Sequence, residues 1–453
     1  MTRIIDSAPP AVEASPPVRS RILKAASLLG AACVLTMIAW GRLPTLTGET
    51  VWAEDGGVFL RDVLRAGHLQ SIFLPYDGYL HVLPRLLASI SHAFVPLEGY
   101  AIAMSLLSCA VVAGISIGVF HLARVLTESV SVRLMIAVIP ILLPIGPNEV
   151  LGNAANLHWY LLWLAPWLLL KKPANPAAGA VLFVLSFLTA ASEIISGMFL
   201  PLAVWVAWKR RSYAAPAGLL LGLILQVLTT LVNPRFNGAA PPTDAVDKLS
   251  VLMGYVLLPI GSIWHPDSRT LASGIVNFGS WVLVIPTLLF IGLLAFVVAK
   301  GTTVLKFGAV VAIAASGLCW AASVVLSGNT MFNYAAYAES DWANSFTYIR
   351  YAAAPGMFLL LLVPLAVATA VQNGHISRGN VPFFAGIFVI FLLISYFPTA
   401  TTRQTGPAWA PGVDAARTAC SNDRALASAV VVVAPATWKF AQVEIACPEL
   451  RSK

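Results

Sequence analysis

The sequence predicts an all-α polytopic membrane protein of about eleven transmembrane helices, with a long first outer loop and a small disulfide-stapled outer tail. Three observations carry that prediction. Of 453 residues, 58% are hydrophobic and 11% charged, whereas an ordinary soluble domain is about a quarter charged. Mean hydropathy is +0.81, and apolar runs recur from Ile22 to Phe397. These runs are continuous rather than alternating, which excludes a transmembrane β-barrel as well as a soluble globule.

Taken in order, residues 1–20 are rich in Pro, Ala and Ser and read as a disordered cytoplasmic tail. The membrane domain spans 21–397. Its first run, Ile22–Trp40, follows Arg19, Arg21 and Lys24 and reads as a membrane helix rather than a signal peptide, because no small-residue cleavage site clearly ends it. The faint lipoprotein-like box before Cys33 has Gly where a large aliphatic residue is needed, so Cys33 is assigned to membrane packing. Further spans are expected near 99–122, 133–147, 157–170, 177–192, 195–208, 214–232, 278–299, 305–326, 352–371 and 381–397.

The net charge of +8 is distributed as a topology signal. An inner N-terminus puts Arg124, Arg133, Lys171, Lys172, Lys209, Arg210, Arg211, Lys300, Lys306 and Arg378 all on the cytoplasmic side. No basic groove with interleaved aromatics appears, so no nucleic-acid partner is expected. The outer side then receives 42–98 as a first loop with interfacial helices, the segments 147–156, 233–277 and 327–350, and the tail 398–453. Long loops on a membrane scaffold usually carry function, so the outer face is where a site is expected.

In that tail, Cys420 and Cys447 are expected to form a disulfide, fitting an oxidising compartment. Val430 to Val433 reads as a buried strand. Val443, Ile445 and Cys447 alternate with Gln442, Glu444 and Ala446 as a half-exposed one.

Candidate chemistry begins at Trp52-Ala53-Glu54-Asp55-Gly56-Gly57, where two carboxylates precede a helical stretch ending near Gly67. Asp55 is either a helix cap or a general base of raised pKa at the membrane boundary. Downstream, Tyr76, Asp77, Tyr79 and His81 form either an aromatic belt or a sugar platform in which Asp77 and His81 bond hydroxyls. Arg85 is a lipid-phosphate ligand or a snorkelling cation. Asn156, His158 and Trp159 stand at the outer mouth of the next hairpin, and Glu193 sits between two apolar runs where a carboxylate needs a partner or a wet cavity. Arg350, followed by Tyr351, opens a late span and is a phosphate ligand or a headgroup anchor. No Walker loop, dinucleotide fingerprint, zinc-ligand spacing or nucleophile elbow appears.

The N-terminal helix, the long outer loop opening with Glu54-Asp55, its interfacial helices, the further spans and the late Arg350-Tyr351 pair together resemble the GT-C superfamily of integral-membrane glycosyltransferases. The resemblance implies a polyprenyl-phosphate-linked sugar as donor, a glycan or lipid of the cell envelope as acceptor, and transfer with inversion. Asp55 would be the base, Glu54 the adjacent alternative, and Arg350 the residue holding the carrier phosphate. Some members use a divalent metal, for which Glu54, Asp55 and Glu193 are the available oxygen ligands. A transporter or flippase of lipid-linked saccharide, or a non-catalytic membrane subunit, are the competing functions. A bacterial inner membrane is the expected location.

Overall fold

A computed structural model describes residues 18–233, 246–327, 329–398, 401 and 403–451, with the backbone alone for 18–21 and 330. The expected disordered tail lies outside these residues, except for its last three, which already belong to the first helix.

Each apolar run expected to cross the membrane is helical. The first is Val18–Trp40, and others include Tyr100–Leu122, Leu157–Leu170, Pro176–Ser192, Ala214–Val232 and Thr303–Ser327. Among the described residues six helical segments are long and apolar enough to span a bilayer: Ile22–Trp40, Leu97–Val125, Ala214–Val232, Ser268–Lys300, Thr303–Ser327 and Arg350–Gln372. Such a set makes this an integral membrane protein. The remaining apolar helices run 10–17 residues, including Val130–Leu142 and Val381–Leu393. The expected span 195–208 is a 3-10 turn, Ile194–Phe199, followed by the eleven-residue helix Leu200–Arg210.

Local sequence explains the helix starts. Ser129 caps Val130–Leu142 through the Val132 N–H, and Asn175 caps the next helix through the Ala178 N–H, with Pro176 just inside it. Helices Pro176–Ser192 and Ala214–Val232 form the most extensive pair. Their approach depends on Gly218 and Gly222, where a Cβ would stand 2.2 Å from the Phe183 carbonyl oxygen and 2.6 Å from the Ala190 Cβ. Small residues four apart permit this contact where no hydrophobic force joins helices.

Within the segment 233–277, expected as one of the long loops, Lys248–Tyr255, a π-helical turn Val256–Ile260 and Gly261–Trp264 form a further apolar rod with Leu257, Leu258, Ile260 and Ile263 buried. Cys33, assigned to membrane packing, is an exposed free cysteine on the first helix.

The tail comprises Trp409–Asn422, an antiparallel pair Ser428–Val432 and Gln442–Ala446, and a last turn Cys447–Arg451. The Cys420–Cys447 disulfide is present. The second strand alternates as expected, with Val443 and Ile445 buried. The first also alternates rather than being buried on both faces: Val431 and Val433 are buried, and Val430 and Val432 exposed.

The tail docks on the first loop, 42–98. The Ala53 N–H donates to the Ala434 carbonyl at 2.6 Å, and the Ala434 N–H to Val51 at 3.0 Å. Trp409 Nε1 reaches the Leu97 carbonyl at 2.6 Å, and Arg417 pairs with Glu98. Two buried arginines tie the same end of the bundle. Arg42 donates to the carbonyls of Ile141, Ser395 and Tyr396, and Arg403 to those of Thr47, Leu151 and Gly152.

Candidate active site

A cavity of about 690 Å³, its open mouth included, lies where the first loop meets the helix ends. Its lining includes Glu54, Tyr76, Tyr79, His81, Asn156, His158, Glu193, Arg350 and Tyr351. Nine of the twelve residues selected from the sequence for catalysis or substrate binding therefore converge on one space. Asp55, Asp77 and Arg85 do not.

Glu54 is positioned by strain and by the tail. Ala53 before it has φ of +40°, a left-handed value rare outside glycine, held by its bond to Ala434. Directly after Glu54 comes the π-helical turn Asp55–Leu60, a widening of the helix frequent at functional sites. The Glu54 carboxylate has no hydrogen bond or ion pair among the described residues and acts electrostatically on Tyr76 and Arg350.

Asp55 points the other way. It is buried, and its two oxygens accept the backbone N–H groups of Ala154 and Ala155 at 2.9 and 2.8 Å. It is thus neither a helix cap nor a cavity wall, but a brace between two loops. Burial pushes its pKa up to about 7 against the opposing pull of those N–H groups and of Arg403.

Asp77 serves the backbone. With φ of +50° and Gly78 at +84°, the pair turns a tight hairpin in which Tyr76 and Tyr79 exchange backbone hydrogen bonds at 2.9 and 3.2 Å. Two successive left-handed residues are the signature of Asp-Gly between short strands, a signal present in the sequence. The turn brings both tyrosines round His81, whose ring lies 4.3 Å from Tyr79 and 5.8 Å from Tyr76. Burial, and then the Glu54 and Asp77 carboxylates, raise the Tyr76 phenol above its ordinary pKa, so it stays a neutral donor. Arg85 is neither phosphate ligand nor snorkelling cation. It is fully buried, donates to Asp62 at 2.9 Å and to the Ser71 carbonyl at 3.1 Å, and covers the Phe59 ring.

On the opposite wall, Glu193 ends Pro176–Ser192 in an extended conformation and caps the following turn through the Ile195 N–H at 2.7 Å. Its other oxygen is hydrogen-bonded to Nδ1 of His158. A carboxylate accepts but cannot donate, so Nδ1 is the protonated nitrogen of this bond. Arg350 donates from Nη1 to Glu149 at 2.7 Å, and its backbone N–H meets the other Glu149 oxygen at 3.1 Å. Its fork is thereby aimed from the start of its helix, with Tyr351 packed on Trp159 at 5.6 Å. Glu149 escaped the sequence reading; an acid in the short 147–156 segment is the only local hint, and its pairing is tertiary. It also lies on a π-helical turn, Gly146–Val150.

Among the described residues no group of three or more His, Cys, Asp or Glu side chains is gathered to hold a metal. The three carboxylates available as oxygen ligands are divided, since Asp55 turns to its loop and Glu193 to His158. No protein-family model, curated protein or solved structure matches this chain.

Proposed function

We propose that the protein is a membrane glycosyltransferase of GT-C type, moving a sugar from a polyprenyl-phosphate carrier to a cell-envelope acceptor with inversion. The observation that carries this reading is a Glu54 carboxylate, without a hydrogen bond or ion pair among the described residues, that lines the same cavity as the Arg350 guanidinium. A base for an acceptor hydroxyl and a fork for a phosphate are what the reaction requires.

In this reading the acceptor O–H gives its proton to Glu54 as its oxygen bonds to the anomeric carbon. The bond from that carbon to the carrier phosphate breaks, and the electron pair leaves on the phosphate beside Arg350. Asp55, the first choice by position in the loop, gives way to Glu54 because its oxygens are engaged by Ala154 and Ala155. The neutral Tyr76 phenol, Tyr79, His81, Asn156 and the His158–Glu193 pair supply rings and polar atoms for sugar hydroxyls. A separate apolar cleft, lined by Leu252, Met253, Val256, Leu257, Ile275 and Trp342, suits a lipid chain. The same reading takes about eleven spans, a bacterial inner membrane, a cytoplasmic N-terminus and the cavity and tail outside.

The test compares envelope glycans and lipid-linked saccharides in cells lacking the protein and complemented with wild type or equally abundant Glu54→Gln. The expected result is restored decoration with wild type, and accumulated polyprenyl-linked sugar with Glu54→Gln. Equal restoration by both would overturn the enzymatic reading in favour of a carrier or a scaffold.

A further inference from the structure

Among the described residues four arginines are fully or almost fully buried: Arg42, Arg85, Arg133 and Arg403. Arg42 and Arg403 each donate to three carbonyls, and Arg85 has Asp62 and the Ser71 carbonyl. Arg133, 4% exposed, has no such partner: its Nε and Nη1 are enclosed and unbonded, and it makes no ion pair among the described residues. A guanidinium stays charged in proteins, and burying it without an acceptor costs several kcal/mol by the usual desolvation penalty.

Its surroundings add positive charge rather than a counter-ion. Arg133 lies 4.6 Å over the Phe120 ring, and it shares the neighbourhood of His121 with Lys24 and Arg124. Lys24 and Arg124 are exposed, so two accessible cations, from the first helix and from the end of Tyr100–Leu122, stand in the neighbourhood of the buried fork. The nearest acid in sequence, Glu128, is exposed and makes no ion pair with it among the described residues. Arg133 lies in the first turn of helix Val130–Leu142, whose other end leads to the cavity loop; nine residue steps at 1.5 Å each put Arg133 about 14 Å from that end.

We propose that Arg133, with Lys24 and Arg124, forms a phosphate-binding site at the end of the bundle away from the cavity, occupied by the headgroup of an anionic phospholipid or by free phosphate. A basic cluster between membrane helices suits an anionic headgroup, because Nη2, the one guanidinium nitrogen of Arg133 that is not enclosed, can donate to a phosphate oxygen while the neighbouring cations meet the remaining charge. This site is independent of the glycosyl-transfer reading.

The full-length protein is placed in phosphatidylcholine nanodiscs with or without phosphatidylglycerol, or given inorganic phosphate. Wild type is expected to bind phosphatidylglycerol and unfold at a higher temperature with it, while Arg133→Met binds at least about tenfold more weakly, the usual weight of a charge-assisted hydrogen bond. In phosphatidylcholine alone Arg133→Met unfolds no lower than wild type, because it no longer buries a charge. A response to phosphatidylglycerol alone assigns a lipid, and a response to inorganic phosphate as well assigns the anion itself. Equal binding by both proteins, or a variant markedly less stable than wild type without any anion, overturns the site. If Arg133→Met does not fold, exposed Arg124→Gln reads the same cluster: affinity for phosphatidylglycerol falls about fivefold by loss of one surface charge, and unchanged affinity overturns the proposal.

Discussion

Asp55 Oδ2 accepts the backbone N–H of Ala154 at 2.9 Å, joining two loops 99 residues apart. Its other oxygen takes the next N–H, so one side chain sets the distance between the wall that holds Glu54 and the wall that holds Asn156 and His158. Asp55→Asn keeps one acceptor and turns an amide donor on the other N–H. The expected loss is about 1–3 kcal/mol of stability, read as a lower unfolding temperature in detergent, in contrast to Glu54→Gln, which leaves unfolding unchanged and removes turnover. Equal stability of Asp55→Asn and wild type would contradict the bracing role.

Protonation of Asp55 adds a pH signature. Its pKa in the folded state is pushed up to about 7 by burial, above the ordinary carboxylate value of 3.8. The folded protein therefore holds this proton more tightly than the unfolded chain. The contribution to stability is full below pH 4 and is lost as pH rises through 7, at most about 1.4 kcal/mol per pH unit. Unfolding temperatures measured from pH 4 to 8 should fall less steeply for Asp55→Asn than for wild type; parallel curves would show that the group does not titrate there.

Arg350 depends on Glu149 for its aim, through a 2.7 Å side-chain bond and a 3.1 Å backbone bond. Glu149→Gln retains an acceptor but not the charge. If Arg350 holds the carrier phosphate, Glu149→Gln raises KM for the lipid donor by about tenfold while kcat changes less, whereas Arg350→Lys lowers both, because an ammonium lacks the planar fork. A KM untouched by either change would remove Arg350 from donor binding.

Gly57 is where the tail meets the first loop most closely. A Cβ there would stand 1.9 Å from the Phe440 carbonyl oxygen, which is backbone and cannot swing aside. Gly57→Ala is expected to lift the segment 434–441 and disturb the Ala53–Ala434 bond beneath Glu54. Limited proteolysis should then cut the tail sooner than in wild type, with activity reduced; an unaltered cleavage pattern would mean that the tail does not bear on the loop.

The Cys420–Cys447 disulfide closes a loop of 27 residues. Chain-entropy arithmetic gives such a closure about 3–4 kcal/mol. Cys420→Ser with Cys447→Ser should loosen the tail while the membrane helices remain folded, seen as earlier proteolysis of residues beyond 398 with unchanged helical circular dichroism. In the intact protein the two thiols should label only after reduction.

Apolar length and helix-start chemistry are local properties, so composition and pattern alone determined the helical runs, the second tail strand and the pairing of the only two cysteines outside the apolar spans. Nine cavity residues were also legible, because tyrosines, a histidine and charged groups stand out beside apolar runs. Tertiary structure decided which neighbours face the cavity. Successive residues of a helix differ by about 100° in direction, so adjacent Glu54 and Asp55 diverge, one into the cavity and the other onto Ala154. Their types and spacing carry no information on that choice. The same holds for Arg85, claimed by Asp62, and for Glu149, which meets Arg350 201 residues away. A charge needs a partner wherever it is buried, but only the packed chain determines which partner is within reach.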